Sequence, residues 1–83
     1  MLNTNDQEST ERWVLDLCRE IGVRTENADS DFFEAGGNSL AAMKLISRAE
    51  LRYGEDALPP DDLFTSSSVR EIAASILRNR TMD

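Results

Sequence analysis

The chain has 83 residues, 40% hydrophobic and 30% charged, with a formal charge of −7. That length makes one small domain, near the limit at which a single core holds without staples, and the acidic balance argues against a nucleic-acid partner and for basic patches on partner proteins. With one cysteine and no histidine, an internal disulfide, a zinc site of the usual ligand types and a Ser-His-Asp relay are excluded, and a reducing cytoplasm is the expected setting.

Residues 1–6 read as a flexible tail, polar and without the apolar core of a signal peptide. No later run reaches the length of a membrane span, so no membrane is expected as a partner. From about Gln7 to Ile21, apolar residues recur at Val14, Leu17, Cys18 and Ile21, the spacing of one helix face, with Trp13 beside it and Gly22 as the stop. Cys18, on that stripe, reads as a small core residue rather than a reactive thiol. Residues 22–38 form a long connection, in which Phe32 and Phe33 should pin the chain to the core. Asp29 or Ser30 is expected to cap a short turn around them. Asp29-Ser30-Asp31 begins like a calcium loop, but Phe33, Glu34 and Leu40 stand where ligands and the obligatory glycine belong.

A second helix runs from Ser39 to about Tyr53, capped by Asn38 and stopped by Gly54. Ala42, Leu45, Ile46, Ala49 and Tyr53 share its core side. Leu40, Met43 and Leu51 fall on the opposite side around Ser47, flanked by the cations Lys44, Arg48 and Arg52. After Pro59-Pro60, Asp61-Asp62-Leu63-Phe64 reads as one helical turn that drops Leu63 and Phe64 into the core. Ser68-Val69-Arg70-Glu71 is a capping box, opening a last helix with Val69, Ile72, Ala73, Ile76 and Leu77 on one face. Residues 7–78 then form the domain and 79–83 a C-terminal tail. The expected fold is all-α: a small bundle of three main helices plus one short helix, with a long loop between the first two.

The stretch Asp31-Phe32-Phe33-Glu34-Ala35-Gly36-Gly37-Asn38-Ser39-Leu40 carries the strongest chemical signal. Taken alone, Gly36-Gly37-Asn38-Ser39 is compatible with a plain helix start. A serine hydroxyl placed there is also exposed at the positive end of a helix dipole, the setting that favours a phosphate ester. With the upstream aromatic pair, Leu40 and Met43 after the serine, Leu63-Phe64 after a proline and Ser68-Val69 opening the last helix, the chain resembles phosphopantetheine-dependent carrier proteins. The likeness runs from about Val14 to Ile76 and is nearest to the peptidyl (thiolation) carriers of nonribosomal peptide synthesis. Asn38 stands where that group usually has His or Asp, and Ala35 where Leu is common.

The resemblance implies a covalent 4'-phosphopantetheine on Ser39, with Gly36, Gly37 and Asn38 shaping the attachment site and no metal of its own. It implies a non-catalytic carrier of an aminoacyl, peptidyl or acyl group. The implied partners are a phosphopantetheinyl transferase, an adenylation or other loading enzyme, and downstream condensation, tailoring or thioesterase enzymes. A monomer is expected, free-standing because the sequence opens with Met1, although a domain excised from a synthetase would look the same. The basic stripe on the second helix resembles peptidyl carriers more than fatty-acid carriers, and leaves open a polyketide or D-alanyl carrier. An unmodified acidic helical interaction module is the alternative of a different class; a hydrolase built on Ser39 lacks its histidine. Leu40, Met43, Lys44, Ser47 and Arg48, beside the serine, are the expected partner-docking residues.

Overall fold

The computed structural model describes residues 4–81, with side chains from residue 6; the outermost parts of the two expected tails lie outside the described residues. The elements are α1 (Thr4–Glu20), α2 (Ser39–Tyr53), α3 (Pro60–Thr65) and α4 (Val69–Asn79). No helix among the described residues is long and apolar enough to cross a membrane.

Helix α1 begins at Thr4 rather than at Gln7. Thr10, buried in that first stretch, donates its hydroxyl to the Asp6 carbonyl at 2.8 Å, which removes the cost of burying a polar group. The helix ends through two backbone bonds: Val23 N–H to the Cys18 carbonyl at 2.7 Å, and Gly22 N–H to the Arg19 carbonyl at 3.2 Å. Gly22 sits at φ +88°, so this is the double-bonded glycine termination that turns a chain sharply off a helix. It delivers Val23 into the core beside Cys18.

Val14, Leu17 and Cys18 of α1 meet Val69, Ile72, Ala73 and Ile76 of α4, and these two helices form the principal helix pair. Ala42, Leu45, Ala49 and Tyr53 of α2 complete the core, with Ile46 half-buried against it, as the helix wheel requires. Trp13 meets Tyr53 edge-to-face at 5.2 Å. Ala57 and Leu58, in the connection between α2 and α3, are buried without any periodic signal. Ser75 is buried on α4 while Leu77 is only half-buried. The reason is Asp62, whose Oδ2 accepts from Ser75 Oγ at 2.7 Å, Arg78 at 3.2 Å and Asn79 Nδ2 at 3.2 Å, and so ties α3 to α4.

The long loop is held mainly by its backbone. Phe32 N–H donates to the Ser67 carbonyl at 2.8 Å, Val69 N–H to Ser30 at 2.9 Å and Arg70 N–H to Ala28 at 2.8 Å, fastening residues 28–32 along the start of α4. Ser68 and Glu71 close the capping box there at 3.1 and 3.2 Å. The residue that caps the turn around the aromatic pair is Asp31, not Asp29 or Ser30. Its Oδ2 accepts the N–H groups of Phe33 and Glu34 at 3.0 Å each, and its Oδ1 accepts the Ser67 hydroxyl. Ser30 and Asn27 instead serve the preceding turn, while Asp29 pairs with Arg70.

The aromatic expectation needs one correction. Phe32 is fully buried and Leu63 likewise, but Phe33 is half-buried and Phe64 is 55% exposed. The six-residue helix α3 has one core-facing side, which Leu63 occupies; its neighbour Phe64 is rotated by about 100° and lies flat on Phe33, centroids 5.4 Å apart.

These contacts set an acid limit. Ser67 first, and then the Glu34 N–H, hold the Asp31 carboxyl below the usual carboxylate range; Ser75 does the same for Asp62, with Asn79 and Arg78 adding to it. A carboxyl whose folded pKa is lowered stabilises the fold above its unfolded value, and the stabilisation goes as pH falls through the folded value. Thermal stability should therefore fall as pH drops through the ordinary carboxylate range and below it. The double variant Ser67→Ala/Ser75→Ala should show a shallower drop in melts across that range, and an unchanged slope would remove these two carboxyls as its cause.

Candidate functional site

The turn capped by Asp31 ends at Gly36 and Gly37, and these two positions disfavour any other residue for different reasons. Gly36 has φ +108° in open space, a conformation that side chains resist. Gly37 has an ordinary φ, but a Cβ there would run into the buried Phe32 ring and lie 2.6 Å from the Phe32 carbonyl oxygen. Its own N–H donates to that carbonyl at 2.9 Å. Gly37→Ala should cost about 1–3 kcal/mol as overpacking, with the Phe32 ring signals shifted in the NMR spectrum. A variant as stable as the parent, with an unmoved ring, would mean that the backbone does not rest on Phe32.

Asn38 follows in extended conformation, φ −136° and ψ −175°, and caps α2 by accepting the Ala41 N–H at 2.9 Å. Ser39 is then the first helical residue and is exposed. The remaining N–H groups of that first turn have no acceptor within the helix, and the turn contains no acidic residue. The chain thus presents a hydroxyl beside unpaired N–H donors at the positive end of a 15-residue helix.

Beside it lies an open groove of about 530 Å³. Its walls are Leu40, Met43, Lys44, Ser47 and Arg48 of α2, with Glu20 and Ile21 from the end of α1. The five α2 residues expected to dock partners are therefore brought together on one surface. Leu40 is 63% and Met43 68% exposed, as the wheel requires. Leu51 and Arg52, expected on the same lane, line an adjoining hollow of about 310 Å³ with Trp13 and Leu17. Arg52 also lies over the Tyr53 ring at 5.1 Å. Glu20 and Ile21 join this surface without any signal in the sequence. Ile21 reads as part of the α1 core stripe, and only the termination at Gly22 brings it to the edge of α2. Arg48 reaches Glu20 at 3.8 Å, an exposed pair of little energetic weight, while Lys44 remains on the open side.

Cys18 plays no part in this surface. It is buried, and burial pushes its thiol up to about 11 against a smaller opposing pull from the Thr25 hydroxyl. That hydroxyl is itself buried with no hydrogen-bond partner within bonding distance among the described residues, so its contact with the sulfur is loose and burial decides. The thiol stays protonated and unreactive.

Residues 12–76 match the family model described as the phosphopantetheine attachment site. The chain is 34% identical over 70 residues to a linear gramicidin synthase protein of Brevibacillus parabrevis, covering 83% of this chain and 1% of that protein. It is 43% identical over 56 residues to the nonribosomal peptide synthetase penN of Penicillium thymicola, covering 68% and 2%. It is 30% identical over 74 residues to phosphinothricin tripeptide synthetase PhsC of Streptomyces viridochromogenes, covering 88% and 7%. The chain thus spans only a few per cent of the length of these relatives. No solved structure matches it. With an all-helical bundle and a family match over most of its length, the chain belongs to the phosphopantetheine attachment-site family, whose carrier domains hold 4'-phosphopantetheine covalently on a serine, and it is similar to the carrier segments of nonribosomal peptide synthetases.

Proposed function

We propose that Ser39 is the serine that carries the 4'-phosphopantetheine, and that the chain presents an aminoacyl or peptidyl group to biosynthetic enzymes. The observation that supports this most is the placement of Ser39: exposed, at the first position of α2, behind Gly36 and Gly37 and next to the capping Asn38. The residues there fit the group. A phosphodiester on Ser39 Oγ would meet first-turn N–H donors and a helix dipole worth about 0.3–1 kcal/mol at an exposed site, with no carboxylate in that turn to oppose it.

When bound, the group supplies a terminal thiol on which cargo is held as a thioester. The chain's own residues do the rest. Asn38 fixes the direction of α2, and Gly36 and Gly37 hold the approach in a shape no side chain obstructs. The helix start offers its N–H donors to the ester. Carrier domains of this family are generally non-catalytic, and the role assigned to this chain is the same: it raises the effective concentration of cargo at successive enzymes. The domain of residues 7–78 is taken as a monomeric carrier acting as a separate chain in the cytoplasm, and the intact mass of the endogenous protein tests that separateness.

Carrier domains in nonribosomal synthesis work with phosphopantetheinyl transferases and with adenylation, condensation and thioesterase enzymes. The same classes are assigned here as partners, docking on Leu40, Met43, Lys44, Ser47 and Arg48. Lys44, Arg48 and Arg52 along α2 support a peptidyl carrier over a fatty-acid carrier, whose second helix is typically acidic. A polyketide carrier takes an acyl group rather than an amino acid, so amino-acid-dependent loading by an adenylating enzyme separates it from the peptidyl reading, and loading confined to D-alanine would mark a D-alanyl carrier.

The test is intact mass after incubation with coenzyme A and a promiscuous transferase. One phosphopantetheine increment on the parent, localised to Ser39 by fragmentation, is expected. Ser39→Ala should take up none while its melt stays within about 0.5 kcal/mol of the parent, as for an ordinary surface change. An increment on Ser66, Ser67 or Ser68, or on the Ser39→Ala protein, would overturn the assignment. No increment at all would leave the unmodified interaction module.

A further inference from the structure

Helix α2 begins at Ser39 and ends at Tyr53, about 21 Å away along its axis, and its two ends are fastened differently. The Ser39 end rests on the Phe32 ring and carbonyl through Gly37. The far end is met by the chain that leaves α4. Arg80 is extended there, φ −61° and ψ 143°, and the next N–H, that of Thr81, donates to the Tyr53 carbonyl at 3.0 Å. That carbonyl belongs to the last turn of α2, whose acceptors a helix does not satisfy by itself. The approach is close. A Cβ on Gly54 would run into the Thr81 hydroxyl and lie 3.1 Å from the Thr81 nitrogen, so glycine serves this crossing as well as its own φ of +116°. Arg80 meanwhile reaches the Asp6 carboxylate near the start of α1 at 3.7 Å. Two consecutive residues thus bridge the start of α1 and the end of α2. Tyr53, to which the strap bonds, is buried and meets Trp13 of α1 edge-to-face. Trp13 also lines the hollow shared with Leu17, Leu51 and Arg52.

We infer that Arg80 and Thr81 are a strap that latches the far end of α2 to the bundle, and that its release lets this end move off Trp13 while the Ser39 end stays seated on Phe32. Each fastening is weak alone: the ion pair is partly exposed, and one hydrogen bond contributes modestly. Such a latch opens locally, without unfolding the core that Val14, Leu45 and Ile72 share. The device does not depend on what Ser39 carries. It governs the seating of the helix that exposes Leu40 and Met43, so whatever draws Arg80 and Thr81 off the bundle acts on α2 from the end remote from Ser39.

The test is NMR spectroscopy on the full 83-residue chain. Thr81→Pro removes the N–H, and the residue before a proline favours the extended backbone that Arg80 already has. In this variant the cross-relaxation between the Trp13 and Tyr53 rings should fall about twofold or more, and the 15N order parameters of Leu51 to Gly54 should drop below those of a rigid helix. Cross-relaxation between the Phe32 ring and Gly37, and the order parameters of Leu40 to Leu45, should match the parent. Thr81→Ala keeps the N–H and should keep the Trp13–Tyr53 intensity. An undiminished Trp13–Tyr53 signal in Thr81→Pro, an equal loss in Thr81→Ala, or a loss shared by Phe32 and Gly37 would overturn the inference.

Discussion

Phe32→Ala should lower the stability of the domain by about 3–5 kcal/mol, whereas Phe64→Ala should shift it by a small fraction of that. Both are aromatic residues of the same size class, both flank Phe33, and both look like core anchors in the sequence. The difference is burial. Phe32 is fully enclosed and Phe64 is 55% exposed. Phe32 also meets Phe33 edge-to-face at 5.0 Å and carries the Gly37 backbone on its ring and carbonyl. Its removal therefore opens a cavity beneath the turn that leads to Ser39. Truncating Phe64 removes one stacked face and leaves water where water already is. Out of a total stability of about 5–15 kcal/mol for a domain, the first loss is a large share. Chemical denaturation of the two variants measures it. Equal losses would mean that Phe64 is buried in solution and that α3 is seated differently.

The contrast between those two residues shows what the sequence made legible. Helix faces were readable because burial on a long helix repeats: Val14, Leu17 and Cys18, or Ala42, Leu45 and Ala49, announce a side by spacing alone, and all are buried. The caps at Asn38 and Ser68 were readable because the bonding partners lie three residues away. α3 has too few residues for a period to establish itself, so Leu63 and Phe64 could not be told apart. The hold on the long loop was invisible for another reason. It consists of backbone bonds from residues 28–32 to the start of α4, and a backbone donor carries no residue type. Beyond the local cap that Asp31 makes with Phe33 and Glu34, Asp31 and Asp62 gather donors that lie far away in sequence, Ser67 in one case and Ser75, Arg78 and Asn79 in the other, and those long-range bonds left no local pattern. At the candidate site, the residues on α2 followed from the wheel, whereas Glu20 and Ile21 required the tertiary approach of α1.

Leu45→Asp should abolish the cooperative unfolding transition, while Leu40→Asp and Met43→Asp should fold and melt close to the parent. Leu45 is fully buried within the cluster formed by all the helices. A carboxylate there loses its hydration and finds no partner, and no rearrangement of a small core makes room for one. The penalty for an unpaired buried charge is several kcal/mol, and the lost leucine contacts add about 2–5 kcal/mol. Together these consume the whole margin of a small domain. Leu40 and Met43, at 63% and 68% exposed, keep a new carboxylate in water, so their cost is that of a surface change. What they should lose is recognition. A carboxylate in the apolar wall of the groove opposes any apolar anchor a partner inserts, and truncated anchors of this kind often cost more than about 1 kcal/mol in exchange interfaces. Transfer of the arm and loading of cargo should therefore slow several-fold for both, with circular dichroism unchanged. Should Leu40→Asp and Met43→Asp unfold as thoroughly as Leu45→Asp, α2 would have to be turned about its axis, and the groove beside Ser39 would close with it.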